Sequence, residues 1–238
     1  MPECRDARTC PRRAECVYAR VFEPAAAGRG PSGLSDRPRP FVFRVRHLDG
    51  AHIPAGAEFE IGLNVFEPPV AEFEQALGEM LRGRAELAER LTSRLTWSLE
   101  PDQRRARRVR VEFLTPTELK AGERLAAQPG FRVLFARIRD RLSTLRALYG
   151  PGPLEIDFRA MGERAARVRT TACELHRVET ERRSARTGQV HPLGGFTGWA
   201  EYEGELGEFL PHLEAARWTG VGRHTVWGNG EIAVAKVE

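Results

Sequence analysis

Residues 190–237 read VHPLGGFTGWAEYEGELGEFLPHLEAARWTGVGRHTVWGNGEIAVAKV, and they carry more of the architecture than any other part of the chain. From 190 to 203 the residues alternate with the period of a strand, which places Tyr202 on the same face as Phe196 and in the core. Leu206, Phe209, Leu210 and Leu213 then recur at helical spacing. Glu231 to Val237 returns as a strand through Ile232 and Val234. The loop between helix and last strand holds four glycines.

Immediately upstream, 172–183 reads as a strand and Gly188 as the turn that joins it to 190–203. Phe131, Leu134, Phe135, Ile138, Leu142, Leu145 and Tyr149 form one stripe of a helix over roughly 130–149. Val109, Val111 and Phe113 alternate with Arg108, Arg110 and Glu112, a strand closed by Leu114-Thr115-Pro116. The order is therefore β-α-β-β-α-β, the ferredoxin-like or split βαβ pattern. Nearer the N-terminus, Phe41, Phe43 and Val45 suggest one strand and Phe59, Ile61, Leu63 and Val65 another. Val70, Phe73, Leu77 and Met80 or Leu81 suggest a helix, and Leu91, Leu95, Trp97 and Leu99 a third strand. This β-β-α-β run matches the last four elements of the same pattern. The expected class is α+β, with tandem ferredoxin-like (RRM-like) domains, the first lacking its opening strand and helix. The boundaries expected are 1–40 for a cysteine-containing segment and linker, 41–103 for the incomplete domain, and 104–238 for the complete one.

The chain has 238 residues, with 37 Lys+Arg against 33 Asp+Glu and a formal charge of +4. A hydrophobic content of 41% supports folded cores. No apolar run is long enough to span a membrane, and the first residues lack the apolar stretch of an export signal, so a cytoplasmic protein is expected. Lys120 and Lys236 are the only lysines; every other basic residue is arginine, whose planar fork suits phosphate and base stacking. Cys4, Cys10 and Cys16 repeat as C-x5-C-x5-C, with Cys173 distant. That spacing is not a zinc knuckle and leaves a site one ligand short, so no metal or cofactor is assigned. A metal-holding cluster and a set of inert thiols both fit the residues.

Thr219-Gly220-Val221-Gly222-Arg223-His224-Thr225-Val226-Trp227-Gly228-Asn229-Gly230 is the segment richest in chemistry. Its glycines permit positive φ and would leave amides bare for a phosphodiester, with Arg223 supplying charge and His224 a proton carrier. It is neither a Walker loop nor a dinucleotide fingerprint, because it runs from helix to strand and lacks the G-K-[ST] ending. A long turn anchored by Trp227 is the structural alternative. Gly194, Gly195 and Gly198 sit within a strand, which calls for something packed very close. Arg182, Arg183 and Arg186 mark a basic hairpin tip.

With L-T-P-T-E-L-K at 114–120, G-G-F-T-G-W-A-E-Y-E-G at 194–204, F-L-P-H-L at 209–213 and the G-V-G…G-N-G loop, the chain resembles the CRISPR-associated repeat endoribonucleases, the Cas6 family of the RAMP superfamily. The segment C-V-Y-A-R-V-F-E-P at 16–24 is similar to one that precedes the first hairpin in a branch of that family. The resemblance implies two ferredoxin-like domains and metal-independent cutting within the repeats of CRISPR precursor RNA. A 2′-hydroxyl would attack the adjacent phosphate, leaving a 2′,3′-cyclic phosphate and a 5′-hydroxyl. It also implies a strand and helix ahead of the cysteine segment, with a catalytic histidine near them. Those elements are not found here, which leaves a late start codon, loss of the unit, or its supply by another protein.

The catalytic candidates are His224, in the loop, and His47 and His52, in the first hairpin; each is also readable as a surface or turn histidine. Gly220, Gly222, Arg223, Thr225, Gly228, Gly230, Arg182, Arg183 and Arg186 are the candidate RNA contacts. Arg104, Arg105, Arg107, Arg108 and Arg110 form a basic run that would either track a nucleic-acid backbone or remain solvated. Lys120 and Trp199 admit structural roles or RNA contact, His191 and His212 read as capping or surface residues, and His176, facing an arginine-rich strand, reads equally as functional or structural. The expected partners are CRISPR repeat RNA and other Cas proteins, with a homodimer compatible. A non-catalytic RAMP-type subunit that holds guide RNA in an effector complex is the alternative function. A small-molecule regulator would need a pocket motif, and the sequence has none.

Overall fold

A computed structural model describes residues 10–23, 38–66, 70–101, 106–122, 124–183, 188 and 190–236. In chain order its elements begin with helix α1 (Val17–Phe22), strand β1 (Phe41–Arg44), strand β2 (Gly62–Val65) and helix α2 (Val70–Leu81). Next come β3 (Arg108–Thr117), the short strands β4 (Lys120–Ala121) and β5 (Arg124–Leu125), and helices α3 (Phe131–Tyr149) and α4 (Phe158–Ala165). The chain closes with β6 (Arg169–Val178), β7 (Glu181–Arg183), β8 (Val190–Pro192), β9 (Gly195–Glu203), α5 (Leu210–Thr219) and β10 (Ile232–Lys236).

Two units divide these elements. One comprises Met1–Phe41, Val65–Thr96 and Ser143–Pro153; the other comprises Val42–Asn64, Trp97–Leu142 and Leu154–Glu238. In the first, the rings of Phe22, Phe41 and Phe73 meet pairwise at 5.0–5.6 Å, so α1, β1 and α2 share an aromatic nucleus. In the second, a four-stranded antiparallel sheet runs β10-β3-β9-β6. Register is fixed by the apolar alternation: Val111 pairs with Val234 on one side and Ala200 on the other. Val109, Val111, Phe113, Phe196, Ala200, Tyr202 and Ile232 supply the sheet's buried face. Phe131, Leu134, Phe135 and Ile138 of α3 and Leu210, Leu213 and Ala216 of α5 belong to the same core. Tyr202, the largest of these side chains, donates its hydroxyl to the Pro129 carbonyl at 2.6 Å, which removes the polar cost of its burial.

Glycines allow three close approaches in this sheet. A Cβ on Gly195 would stand 2.6 Å from the Thr117 carbonyl oxygen, one on Gly198 2.1 Å from that of Glu174, and one on Gly194 2.7 Å from that of Val178. The packing expected at those residues is backbone against backbone, within the protein.

Several elements depart from the sequence reading. The 172–183 strand divides into β6, which begins at Arg169, and β7. The 59–65 strand shortens to β2, four residues long. α5 starts later than the leucine stripe suggested, with Leu206 and Phe209 in the turn ahead of it. α1, α4 and the β4-β5 hairpin add to the expected list. Asp157 starts α4 by accepting the amides of Arg159 and Ala160, a cap that lies outside the apolar periodicity. Residues 91–99 belong to no helix or strand, because a strand persists only where a neighbour takes its amides and β1 and β2 pair only with each other.

Candidate functional site

Within the larger unit, the glycine loop is held from three directions. α5 ends at Gly220, which takes φ 69° and donates its amide to the Ala216 carbonyl at 2.9 Å. Val221 then donates to the Gly230 carbonyl at 2.9 Å and closes the loop at its base. The amides of Arg223 and Gly230 bond to the carbonyls of Glu118 and Pro116, both at 3.1 Å, which seats the loop on the end of β3. Thr115 joins the two sides: its hydroxyl donates to the Gly228 carbonyl at 2.8 Å and accepts the Glu231 amide at 2.9 Å. Asn229 donates to the Leu193 carbonyl at 2.8 Å.

This arrangement corrects the expectation of bare amides for part of the loop. Those of Gly220, Val221, Arg223, Trp227, Gly228 and Gly230 all bond to backbone carbonyls of the chain itself. The glycines answer to the same packing. A Cβ on Gly230 would lie 1.9 Å from the Val221 oxygen, and one on Gly222 2.4 Å from the Glu118 oxygen, both at positive φ. Arg223 forms an ion pair with Glu118, and its side chain is half exposed. His224 is the one non-glycine residue at positive φ among the described residues, at 61°. It precedes a tight turn, Thr225–Trp227, that buries Thr225 and leaves Trp227 38% exposed.

The first hairpin borders this loop inside the same unit. A Cβ on Gly228 would sit 3.6 Å from the Phe43 oxygen and 3.8 Å from Val45, and Arg46 reaches to 3.9 Å from Glu231. His47 follows Arg46 in a short 3-10 turn, exposed, with Nε2 2.9 Å from the Glu60 carbonyl. The neighbourhood of the loop thus contains two candidate histidines and three arginines, 44, 46 and 223. His52 stands exposed further along the hairpin connection.

Two residues that the motifs did not single out organise this site. Arg44 donates to the carbonyls of Arg217 and Trp218 at 2.7 and 3.0 Å, and Asn64 adds a bond to Trp218 at 2.8 Å. Arg141 donates to the Thr219 carbonyl at 2.8 Å. Together they cap the negative end of α5 and fix where the loop begins. Burial, and then the nearby Arg44 charge, push the Arg141 pKa down to about 10. Arg44 is also lowered by burial, against an opposing pull from Glu231 3.8 Å away. A basic residue on the apolar stripe of α3, seven residues after Leu134, was the available signal for Arg141.

Other candidates fall elsewhere. Arg182 and Arg183 pair through their backbones with His191 and Val190, while Arg186 lies outside the described residues. The run at 104–110 does not offer loose charge in its described part: Arg107, Arg108 and Arg110 face Glu205, Glu203 and Glu201 at 3.0, 3.5 and 2.6 Å. Arg110 also lies 4.1 Å over Trp199. Lys120 is exposed in β4, and His176 is exposed near Glu174. His212 is buried in the core, 5.5 Å from the Phe135 ring, and not at a cap or on the surface. It occupies the buried side of α5, close to the Glu208 backbone. Cys10 and Cys16 are partly buried, Cys173 is exposed and Cys4 lies outside the described residues. Among the described residues no group of three potential metal ligands converges, and no helix is long and apolar enough to cross a membrane.

Comparison with known proteins gives a family and a fold. The model of the CRISPR-associated endoribonuclease Cas6 family matches residues 111–232, and one described as an N-terminal domain matches 1–91. The solved structure "Cas6 (TTHB231) product complex" is similar at a TM-score of 0.59 and 22% identity, covering 92% of this chain and 89% of that one. "Cas6 (TTHA0078) product complex" is similar at 0.52 and 17%, with the same coverage. "Thermus thermophilus Cas6 (TTHB231)" reaches 0.43 at 22% identity over 58% of this chain and 56% of that one. None of the curated proteins matches.

Proposed function

The chain belongs to the CRISPR-associated endoribonuclease Cas6 family, and we propose that it processes CRISPR precursor RNA by cutting within the repeats without a metal ion. The carrying observation is the family match over 111–232, which spans most of β3, the glycine-containing strand β9, α5 and the loop. Two solved structures of similar fold are product complexes by their titles, which supports RNA as the ligand here. In the proposed step a base takes the proton of the 2′-hydroxyl, whose oxygen forms a bond to the adjacent phosphorus. The bond from phosphorus to the 5′-oxygen breaks, and an acid returns a proton to that oxygen. Histidine suits both roles near neutral pH, and arginine suits the charge that builds on the phosphorane.

His224 and His47 are the proposed proton carriers, from the loop and the adjoining hairpin, with His52 a third candidate. Arg223 is the proposed phosphate contact, exchanging part of its pairing with Glu118 for RNA. Gly220, Gly222, Thr225, Gly228 and Gly230 hold the loop that presents it, and Arg182, Arg183 and Arg186 are proposed to follow the strand beyond. The proposal includes tandem ferredoxin-like domains over 41–103 and 104–238, a cytoplasmic setting, and other Cas proteins as partners. A non-catalytic guide-RNA subunit is the second reading, favoured by the way the loop's amides and glycines serve the chain's own packing.

Incubation with repeat RNA in EDTA separates the two. A single cut near the 3′ side of the repeat supports the nuclease; stable binding with intact RNA supports the second reading. His224→Ala should slow cutting at least ~10-fold, the lower range of an acid–base contribution, with little change in binding. Equal cutting by that variant removes His224 from the mechanism.

A further inference from the structure

An indole is among the side chains that gain most from leaving water. Trp227 nevertheless stays 38% exposed, in a turn whose backbone is fixed. Its amide and that of Gly228 bond to the carbonyls of His224 and Thr225 at 2.9 and 3.1 Å. The turn does not use the indole as its anchor. Thr225 has that role: it is buried, and its methyl carbon lies 3.1 Å from where a Cβ on Gly220 would stand. On either side of the turn the backbone is left-handed, at His224 with φ 61° and at Gly228 with φ 94°. At His224 that conformation carries a steric cost, of the kind that concentrates where a ligand is held. Here it helps to keep a large ring in reach of solvent.

Two half-exposed guanidiniums accompany that ring. Arg223 lies four residues before it in the same loop. Gly228, the next residue, abuts the first hairpin: a Cβ there would stand 3.8 Å from Val45, whose neighbour in the chain is Arg46. Arg223 pairs with Glu118, and Arg46 stands 3.9 Å from Glu231. Each guanidinium has five N–H donors, so one carboxylate does not exhaust it. An accessible aromatic plane with cations nearby is the constellation that takes an unpaired nucleotide. The base stacks on the ring, and guanidiniums meet the adjoining phosphates. We propose that Trp227 is the stacking platform for one unpaired base of the bound RNA, next to the phosphate that Arg223 contacts. Backbone and charge hold the strand at the loop; the indole sets which nucleotide of the strand comes to rest there.

The inference rests on RNA as the ligand of the loop, which the nuclease and guide-RNA readings share, and not on cutting. Its test uses the full chain and a repeat RNA with 2′-deoxy residues along its 3′ side, so that binding is read without cleavage. Trp227→Ala should weaken binding ~5–150-fold, the range of one base–aromatic stack. Trp227→Phe keeps a ring and should bind within about threefold of the unsubstituted chain. Replacing one nucleotide at a time by an abasic residue then locates the base. At a single position the unsubstituted chain should lose the same factor, and Trp227→Ala should lose nothing more there. Unchanged affinity in Trp227→Ala overturns the proposal. So does a Phe variant as weak as the Ala variant, or a loss to which every abasic position adds in full, the result of a turn that has only lost its shape. An RNA that the unsubstituted chain does not bind overturns the RNA reading of the loop, and the stack with it. All-ribose RNA that is bound but stays intact overturns the cutting alone, and the coupling at one base then still supports the stack.

Discussion

Arg44 and His212 show how the same helix, α5, is stabilised at its end and exposed to acid along its side. Arg44 spends its guanidinium on two terminal carbonyls of α5. Arg44→Met should lower stability by about 2 kcal/mol, the range for bonds from a charged group, measured by urea unfolding. His212 is buried, and burial lowers its pKa from 6.5 against weaker opposing pulls from Glu208. The unfolded chain therefore takes up a proton near pH 6.5 that the folded chain refuses. Stability should be fully present above pH 6.5 and fall as the pH drops below it, and His212→Leu should flatten that fall in thermal melts from pH 7.5 to 5. A slope unchanged by the substitution would remove His212 as its source. Helical spacing alone could not place this histidine inside, since His212 adjoins Leu213 on α5 and its ring sides with the core only once α3 supplies Phe135.

At the level of elements, the glycine loop was legible in position and not in purpose. Four glycines between a helix and a strand marked it, but the carbonyls of Pro116, Glu118 and Val221 that fill the space beside Gly222 and Gly230 come from another strand and from the loop's own base. Gly230→Ala should cost at least ~2 kcal/mol, a steric clash added to left-handed strain. Gly228→Ala, whose nearest neighbour is 3.6 Å away, should cost ~1 kcal/mol from strain alone. Comparable losses in urea midpoints would contradict the packing account. The segment 91–99 makes the complementary point. Its apolar alternation was legible, while its lack of a neighbour is a property of the assembled chain.

For the whole molecule, the β-α-β-β-α-β order of 108–236 followed from alternation in β3 and β9 and the stripe of α3. Sheet order β10-β3-β9-β6 required the register contacts, because Val111 does not announce that Ala200 and Val234 lie on its two sides. The described part of the basic run, likewise, finds partners that spacing does not announce: Glu201, Glu203 and Glu205, remote in sequence, arrive opposite Arg110, Arg108 and Arg107. Arg108 stands on the sheet away from the glycine loop, so substituting it should leave the salt dependence of RNA binding nearly unchanged, whereas Arg223→Ala, in the loop itself, should reduce its slope by about one unit.

The most direct measurement of the central claim uses a repeat RNA carrying one 2′-deoxy nucleotide just upstream of the scissile bond, compared with all-ribose RNA in EDTA. The account predicts cutting of the all-ribose strand to a 2′,3′-cyclic phosphate, and full protection of the deoxy strand at unchanged affinity. Cutting of the deoxy strand, or cutting of either strand only when divalent metal is added, would contradict it.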